Sequence, residues 1–187
     1  MQAASEVVLV QLNVQLLPAQ REAIFEGPLA AAMARRGTGE IQGGGTMQGD
    51  TGEIKYCDIE LTVPAATDDM IQFLIETLEA LGAPKKSMLT VPSRRIEQGF
   101  GKMEGLAIYL DGVNLPAETY QDGDPNVVYE EFERRLGNGG RILSFWQTST
   151  ETAFYIFGDS FTGMKAQLDP FLASYPLCAN CRVVRLA

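Results

Sequence analysis

Two carboxylates, Asp58 and Glu60, lie two residues apart in the segment Tyr56-Cys-Asp-Ile-Glu60. In a β-strand, alternate side chains point to the same face, so both carboxylates would share a face with Tyr56. Carboxylates held close together can serve as proton donor and acceptor in an enzyme. Acidic side chains on a solvated sheet face are far commoner, and we interpret Asp58 and Glu60 in that way.

A second chemical candidate is the glycine-rich stretch with Gly37-Thr-Gly39 and Gly43-Gly-Gly-Thr46. Phosphate-binding loops of this composition connect a strand to a helix and end in Gly-Lys-Ser or Gly-Lys-Thr. This stretch lacks that ending and follows a predicted helix. We therefore predict a helix end at Gly37 and then a strand whose glycines permit a bulge or a tight bend.

The motif Cys178-Ala-Asn-Cys181 has the spacing of thiol pairs that bind zinc or exchange disulfides. A structural zinc ion usually takes four Cys or His ligands, and Cys57 is the one further cysteine. A redox pair usually opens a helix after a strand, whereas this motif precedes the last predicted strand. We predict a turn and no metal, and a redox role of the two thiols stays open.

Four oxygen-bearing side chains have the spacing of a calcium-binding loop, namely Asp122, Asp124, Asn126 and Glu133. The position that needs glycine is occupied by Val127, and Pro125 fixes the backbone next to it. The same residues are explained by a helix that Asp124 caps and Pro125 begins. We therefore predict a helix start and no calcium site.

The sequence contains no histidine among its 187 residues. Histidine is the commonest general base near neutral pH, a partner of nucleophilic Ser and Cys, and the commonest metal ligand. Because no other catalytic motif is found, we predict a non-enzymatic protein without a cofactor.

The formal net charge is −9, from 15 Lys and Arg residues against 24 Asp and Glu residues. A nucleic-acid-binding protein needs a positive surface, and here the basic residues occur as short scattered pairs such as Lys85-Lys86 and Arg134-Arg135. Nucleic acids and anionic membranes are therefore poor partners. A basic protein surface is a better one.

Signals for export or membrane insertion are not found in the sequence. The segment Met1-Gln-Ala-Ala-Ser-Glu6 has neither a basic start nor an apolar run, and no stretch approaches the roughly 20 apolar residues of a membrane-spanning helix. The three cysteines, an odd number, do not suggest a secreted disulfide framework. We therefore expect a cytoplasmic protein.

The first half of the sequence predicts the element order β-α-β-β-α-β. Alternating apolar residues predict strands, over residues 6–17, 39–47, 53–63 and 87–91. Helical spacing and caps predict helices over residues 18–25, 28–36 and 68–81, with Pro28 at the first position of the second helix. In the third strand Cys57, Ile59 and Leu61 would face a core, opposite to the carboxylates.

The second half predicts the same element order without obvious sequence identity to the first. Strands are expected over residues 105–110, 141–148, 152–157 and 181–186. One helix follows Asp124 and ends at Gly137, and another covers residues 161–174, where Pro170 should kink or divide it.

The predicted fold is α+β, with two tandem β-α-β-β-α-β (ferredoxin-like) units that have antiparallel sheets. We place the first unit over residues 1–92 and the second over residues 93–187. The boundary lies in the segment Pro92 to Gly101, where Pro, Ser, Gly and charged residues replace the periodic pattern.

Each unit would leave one sheet face uncovered by its helices. In the first unit this face carries Tyr56, Asp58 and Glu60, which are polar enough to be solvated. In the second unit it carries aromatic residues, with Tyr109, Tyr155, Phe157 and either Trp146 or Phe145, and it needs a cover. The other unit, a second copy of the chain in a homodimer, or a ligand could each provide that cover.

Several local strings resemble small uncharacterised bacterial proteins with tandem ferredoxin-like units. These strings are Phe25-Glu-Gly-Pro-Leu29, Gly43-Gly-Gly-Thr46 with Cys57-Asp-Ile-Glu60, Leu81-Gly-Ala-Pro-Lys85 and Leu110-Asp-Gly-Val-Asn-Leu-Pro116. None of them is a catalytic signature, so the resemblance implies no active site. Some acidic ferredoxin-like proteins neutralise bacterial toxins, and the resemblance therefore implies an immunity-type role.

The leading hypothesis is an acidic binding protein, of an immunity or regulatory-inhibitor type, that acts on a basic protein partner. Its predicted contact residues are Tyr56, Asp58, Glu60, Tyr109, Trp146 and Tyr155. A small-molecule-binding regulatory module with a site between the units is the alternative. A carboxylate-based enzyme is the third.

Overall fold

The computed structural model describes residues 5–187, which form two compact units. The first unit ends at Met103 and the second begins at Glu104. Each unit combines one antiparallel sheet with α-helices, so the fold class is α+β as predicted.

The first unit is built on a sheet whose strands are β1 (Glu6–Leu12), β2 (Glu40–Gln48), β3 (Ile54–Val63), β4 (Ser87–Val91) and β5 (Ile96–Phe100). Its helical segments are α1 (Pro18–Arg21), a π-helical turn (Glu22–Glu26), α2 (Gly27–Arg36) and α3 (Asp68–Ala80). The strand order is β2-β3-β1-β4-β5, and all pairs are antiparallel. The first four strands have the order of a ferredoxin-like sheet, which confirms the predicted arrangement.

Side-chain alternation on β3 decides which face of this sheet is buried. Cys57, Ile59 and Leu61 are fully buried and lie opposite buried residues of β1, such as Val10 across from Ile59. Helix α3 contributes a buried apolar stripe, with Met70, Ile71, Leu74, Ile75 and Leu78. Its predicted cap is present, because the Thr67 side chain accepts a hydrogen bond from the backbone N–H of Met70 at 3.2 Å.

The boundary between the units lies after the predicted one at residues 92/93, because residues 96–100 form the additional strand β5. This strand pairs with β4, with Ile96 opposite Val91 and Gly99 opposite Met88. Its middle residues Glu97, Gln98 and Gly99 are exposed, so it lacks the apolar alternation by which strands are recognised. The first unit therefore extends to Met103.

The predicted separation of the first two helices is replaced by a π-helical turn that joins them. The N–H of Gly27 donates to the carbonyl of Glu22, which is the wide hydrogen bond of a π-helix. Pro28 follows in the first turn of α2, where its missing N–H is tolerated. Helix α2 ends at Gly37, which has a positive φ of 67° as predicted for a helix cap.

The second unit has four strands, β6 (Glu104–Asp111), β7 (Gly140–Gln147), β8 (Glu151–Gly158) and β9 (Arg182–Arg185). Its helices are α4 (Ala117–Asp122), α5 (Pro125–Leu136) and α6 (Phe161–Leu172). The strand order β7-β8-β6-β9 is again that of a ferredoxin-like sheet. Asp124 caps α5 as predicted, since its side chain accepts a hydrogen bond from the N–H of Asn126 at 2.8 Å.

The core of the second unit lies between its helices and one face of the sheet. Phe132 of α5 makes edge-to-face contacts with Phe154 and Phe171, at centroid distances of 5.5 and 6.0 Å. Pro170 was expected to kink or divide the last helix, and it does not divide it. Pro170 lies in the final turn of α6, and the helix continues to Leu172.

Candidate functional site

The face of the first sheet that carries Asp58 and Glu60 is open to solvent. Glu60 is exposed and Asp58 is half-buried, while Val7 and Leu9 of β1 are 37% and 39% exposed. In the β1–β3 register, Leu9 lies opposite Glu60. We call this surface the acidic face and define it by Val7, Leu9, Tyr56, Asp58 and Glu60. It combines exposed apolar side chains with carboxylates.

Strand β2 extends the acidic face, and two of its residues on this face are glycines. Gly43 lies opposite Glu60, and Gly45 lies opposite Asp58. The result is an open groove of about 460 Å³, lined by Leu9, Gln42, Gly43, Gly44, Gly45, Asp58, Ile59 and Glu60. The two carboxylates are therefore reachable from the outer side of β2.

The other face of β2 is held by a buried ion pair. Arg21, whose side chain is 7% exposed, places its Nε 2.5 Å from Glu26 Oε1. Its Nη1 donates to the Gly45 carbonyl at 2.7 Å and to Thr46 Oγ1 at 2.9 Å. Arg21 thus joins the π-helical turn to the backbone of β2, and every contact it makes there is charge-assisted.

The position of this ion pair leaves no room for a side chain at Gly44. A Cβ at Gly44 would lie 2.5 Å from Glu26 Oε1, 2.9 Å from Arg21 Nε and 2.7 Å from the Asp58 carbonyl oxygen. Sequence reasoning missed Arg21 and Glu26. The available signal was a glycine inside a strand, which often marks the close approach of another group.

The electrostatics of the groove centre on Asp58. Burial raises the pKa of this carboxyl, and the Arg21 guanidinium opposes that shift in part. Asp58 therefore carries its negative charge in a poorly solvated position. A cation placed in the groove would stabilise the charged form.

The three cysteines have the properties of structural thiols. The single S–H group of Cys57 is shared between the carbonyls of Val14 and Leu16, at 3.4 and 3.3 Å, and burial raises the pKa of this thiol. Burial also raises the pKa of Cys181, and that of Cys178 to about 12. Because the thiolate is the reactive form, these environments disfavour nucleophilic chemistry.

The predicted contact residues of the second unit are less accessible. Trp146 lies opposite Ala153, which lies opposite Tyr109, so Trp146 and Tyr109 share the sheet face that the helices leave uncovered. Tyr109 is stacked under the Arg182 guanidinium at 4.4 Å. Tyr155 is on the same face and is only 2% exposed.

A second groove, of about 310 Å³, lies at one end of this sheet and includes Tyr109 and Arg182. Its charges are already satisfied within the chain. Arg182 pairs with Glu151 at 2.6 Å, and the Asp111 carboxylate accepts hydrogen bonds from the N–H groups of Val113 and Asn114, which lower its pKa. The acidic face of the first unit is therefore the stronger candidate site.

Residues 5–187 offer neither a candidate metal site nor a candidate membrane-spanning helix. They contain no group of three or more His, Cys, Asp or Glu side chains that could hold a metal ion. Across the same range no helix combines the length and the apolar character that crossing a membrane requires.

Comparison with known proteins gives no family. No protein-family model matches the sequence, and no curated protein matches it either. The ligand-free regulatory subunit of aspartate kinase from Thermus thermophilus is 15% identical, with a TM-score of 0.28, over 88% of this chain and 92% of that one.

Two further solved structures have different functions. The first two RRM domains of the yeast poly(U)-binding protein are 14% identical, with a TM-score of 0.25, over 96% of this chain and 99% of that one. A proposed monooxygenase from Lactobacillus acidophilus is 12% identical, with a TM-score of 0.32, over 98% of this chain and 94% of that one. At these TM-scores none of the three proteins bears on what this chain does.

Proposed function

We propose that the chain is a non-enzymatic binding protein whose acidic face takes a basic segment of a protein partner. The observation that carries this proposal is the row of residues across the first sheet. Gly43 and Gly45 leave Glu60 and Asp58 reachable, and Leu9 stands exposed beside Glu60.

Charge complementarity supports a basic partner. The chain carries a net charge of −9, and burial raises the pKa of Asp58, whose charged form a nearby cation would stabilise. A basic partner would be steered to the acidic face at a rate that falls with ionic strength. A homodimer through this face would instead set carboxylates against carboxylates, which disfavours that arrangement.

The apolar part of the acidic face gives such an interface its core. Val7 and Leu9 are more than one-third exposed although they lie in the central strand β1. Interfaces combine an apolar centre with a polar rim, and here the carboxylates supply the rim. The narrower form of the proposal, an inhibitor that neutralises a basic toxin, rests on the sequence resemblance alone.

The test uses a defined basic peptide and two variants. We expect a lysine-rich peptide to bind the wild-type chain, with an affinity that falls as salt is raised. Asp58→Asn combined with Glu60→Gln should reduce that affinity by about tenfold or more, because it removes both carboxylates. The matched control is Glu130→Gln combined with Glu133→Gln on α5, which makes the same change in net charge elsewhere. Equal affinities for the three proteins would refute the proposal.

A small-molecule-binding regulatory module is a second candidate. The groove volume of about 460 Å³ lies within the range of small-ligand sites, and Asp58 would select an amine or another cation. A screen of cationic small molecules by thermal shift tests this role, because a ligand that binds the native state raises the melting temperature. Stabilisation that Asp58→Asn abolishes would favour this candidate over a protein partner.

A further inference from the structure

We infer that the partner's basic segment binds as an extended strand added to the outer edge of β2. Lysine or arginine side chains at alternate positions would then lie over Gly43 and Gly45 and reach Glu60 and Asp58. This inference rests on the proposed function and specifies how the partner binds.

Strand β2 has the properties of an edge that can accept another strand. It is nine residues long and outermost in the sheet, and within residues 5–187 the strand order gives it β3 as its one neighbour. An edge strand presents unpaired backbone groups at alternate residues. Edges are commonly protected by charges, proline or β-bulges. The register of β2 shifts between Ile41 and Gly43 and again between Met47 and Gln48, and the stretch 43–47 between these shifts contains no charged residue and no proline.

The glycines of β2 are not all explained by the packing of this chain. Gly44 is required by the Arg21–Glu26 pair, but a Cβ at Gly43 would meet nothing within 4 Å. The nearest atom to a Cβ at Gly45 is Asp58 Oδ2 at 3.7 Å, an ordinary contact. Neither Gly43 nor Gly45 has a positive φ.

Glycine in the interior of a strand lowers its stability. Because the packing of this chain does not require glycine at positions 43 and 45, we attribute these two glycines to contact with another molecule. Close approach of another backbone is a known use of glycine in strands. A strand added beside β2 would bring a second backbone close to Gly43 and Gly45.

The register of the sheet fixes which partner residues meet the carboxylates. Side chains on one face of neighbouring strands lie in rows, and here the rows run Gly43–Glu60–Leu9 and Gly45–Asp58–Gln11. A partner residue beside Gly43 or Gly45 extends one of these rows. An added strand would lie two strand spacings, roughly 9.6 Å, from β3, and a long Lys or Arg stem that crosses the bare glycine can span this distance together with the Asp58 or Glu60 side chain.

The register therefore predicts the sequence pattern of the partner segment. Two basic residues separated by one position face Asp58 and Glu60. The residue between them points to the opposite face, where Arg21 and Glu26 lie against Gly44. This pattern is that of β-strand addition, in which backbone bonds give affinity and alternate side chains give specificity.

The test compares peptides and glycine variants of the full chain. The peptide carries lysine at alternate positions, and a second version is N-methylated on the backbone amides that would pair with β2. We expect N-methylation to weaken binding by about tenfold or more, because β-strand addition depends on main-chain hydrogen bonds. Hydrogen exchange should show protection of β2 amides by the unmodified peptide.

Gly43→Val and Gly45→Val fill the bare positions with side chains and should weaken binding similarly. Their melting temperatures should equal or exceed that of the wild type, since valine suits a strand. The matched control is Gly99→Val on β5, at the opposite edge of the same sheet, where a Cβ also meets nothing within 4 Å. This variant should bind the peptide like the wild type.

The outcomes separate this inference from the proposed function. Full binding by the two β2 variants and by the N-methylated peptide, with binding still lost in Asp58→Asn/Glu60→Gln, would overturn strand addition and leave the proposed function standing. If that double variant binds like the wild type, the proposed function itself fails.

Discussion

Replacing Gly44 with alanine would place a methyl group inside the contact between β2 and the Arg21–Glu26 ion pair. The added Cβ would lie 2.5 Å from Glu26 Oε1 and 2.7 Å from the backbone carbonyl oxygen of Asp58. The second contact is with backbone, which cannot swing away as a side chain can. Either β2 separates locally from β3, or the ion pair is displaced.

The expected loss of stability follows from these two responses. Overpacking a well-packed site costs about 1–3 kcal/mol, and leaving a buried charge without its partner costs about 3–5 kcal/mol. Because Arg21 is 7% exposed but keeps its bonds to Gly45 and Thr46, we expect Gly44→Ala to cost about 2–4 kcal/mol. Gly45→Ala should be neutral or stabilising by about 0.5–1 kcal/mol.

The assay must report on the first unit, and Cys57 provides the probe. This thiol is fully buried in the first unit, so it becomes available for labelling only when that unit opens. Pulse labelling at increasing urea concentration, read for the peptide that contains Cys57, gives an unfolding midpoint for each variant. We expect a clearly lower midpoint for Gly44→Ala than for Gly45→Ala. Coincident midpoints would refute the role assigned to the ion pair.

Three further predictions concern single residues. Asp58→Asn should stabilise the chain near neutral pH, because burial raises the pKa of Asp58 above its ordinary value of 3.8 and so disfavours the charged carboxylate in the folded state. The contribution of Asp58 to stability therefore falls as pH rises through its folded-state pKa. Urea denaturation should show that the variant is more stable than the wild type near neutral pH and that this difference disappears in acid. Cys178, with a pKa of about 12, should resist a disulfide reagent at pH about 8 in the native protein and react after unfolding; rapid native labelling would contradict its burial. Thr67→Ala should cost about 1 kcal/mol in urea denaturation, because it removes the N-cap of α3, whereas Thr67→Ser should retain most of that stability.

The ferredoxin-like arrangement could be predicted because local signals agree with the global fold. The alternation around Ile59, the cap at Thr67 and the cap at Asp124 each act over a few residues. Strand β5 was not predicted because its three middle residues are exposed and show no alternation of apolar and polar side chains. The π-helical turn was missed because Gly27-Pro28 is a common helix break, and only the bond from Gly27 to Glu22 shows otherwise.

The candidate site could be predicted only in part. Asp58 and Glu60 were identified because alternation along one strand is visible in the sequence. Their position opposite Gly45 and Gly43 depends on the β2–β3 register, which shifts between Ile41 and Gly43, and a sequence does not encode register directly. Tyr155 likewise lies between Ala107 of β6 and Ser144 of β7, neighbours that the sequence alone does not identify.

The most direct test of the central claim is a titration of the isotope-labelled chain with the alternating-lysine peptide, followed by backbone amide NMR. The account predicts chemical-shift changes on β2 and β3 around Gly45 and Asp58, which weaken as salt is raised. Absence of shifts at the acidic face, or shifts confined to the second unit, would contradict it.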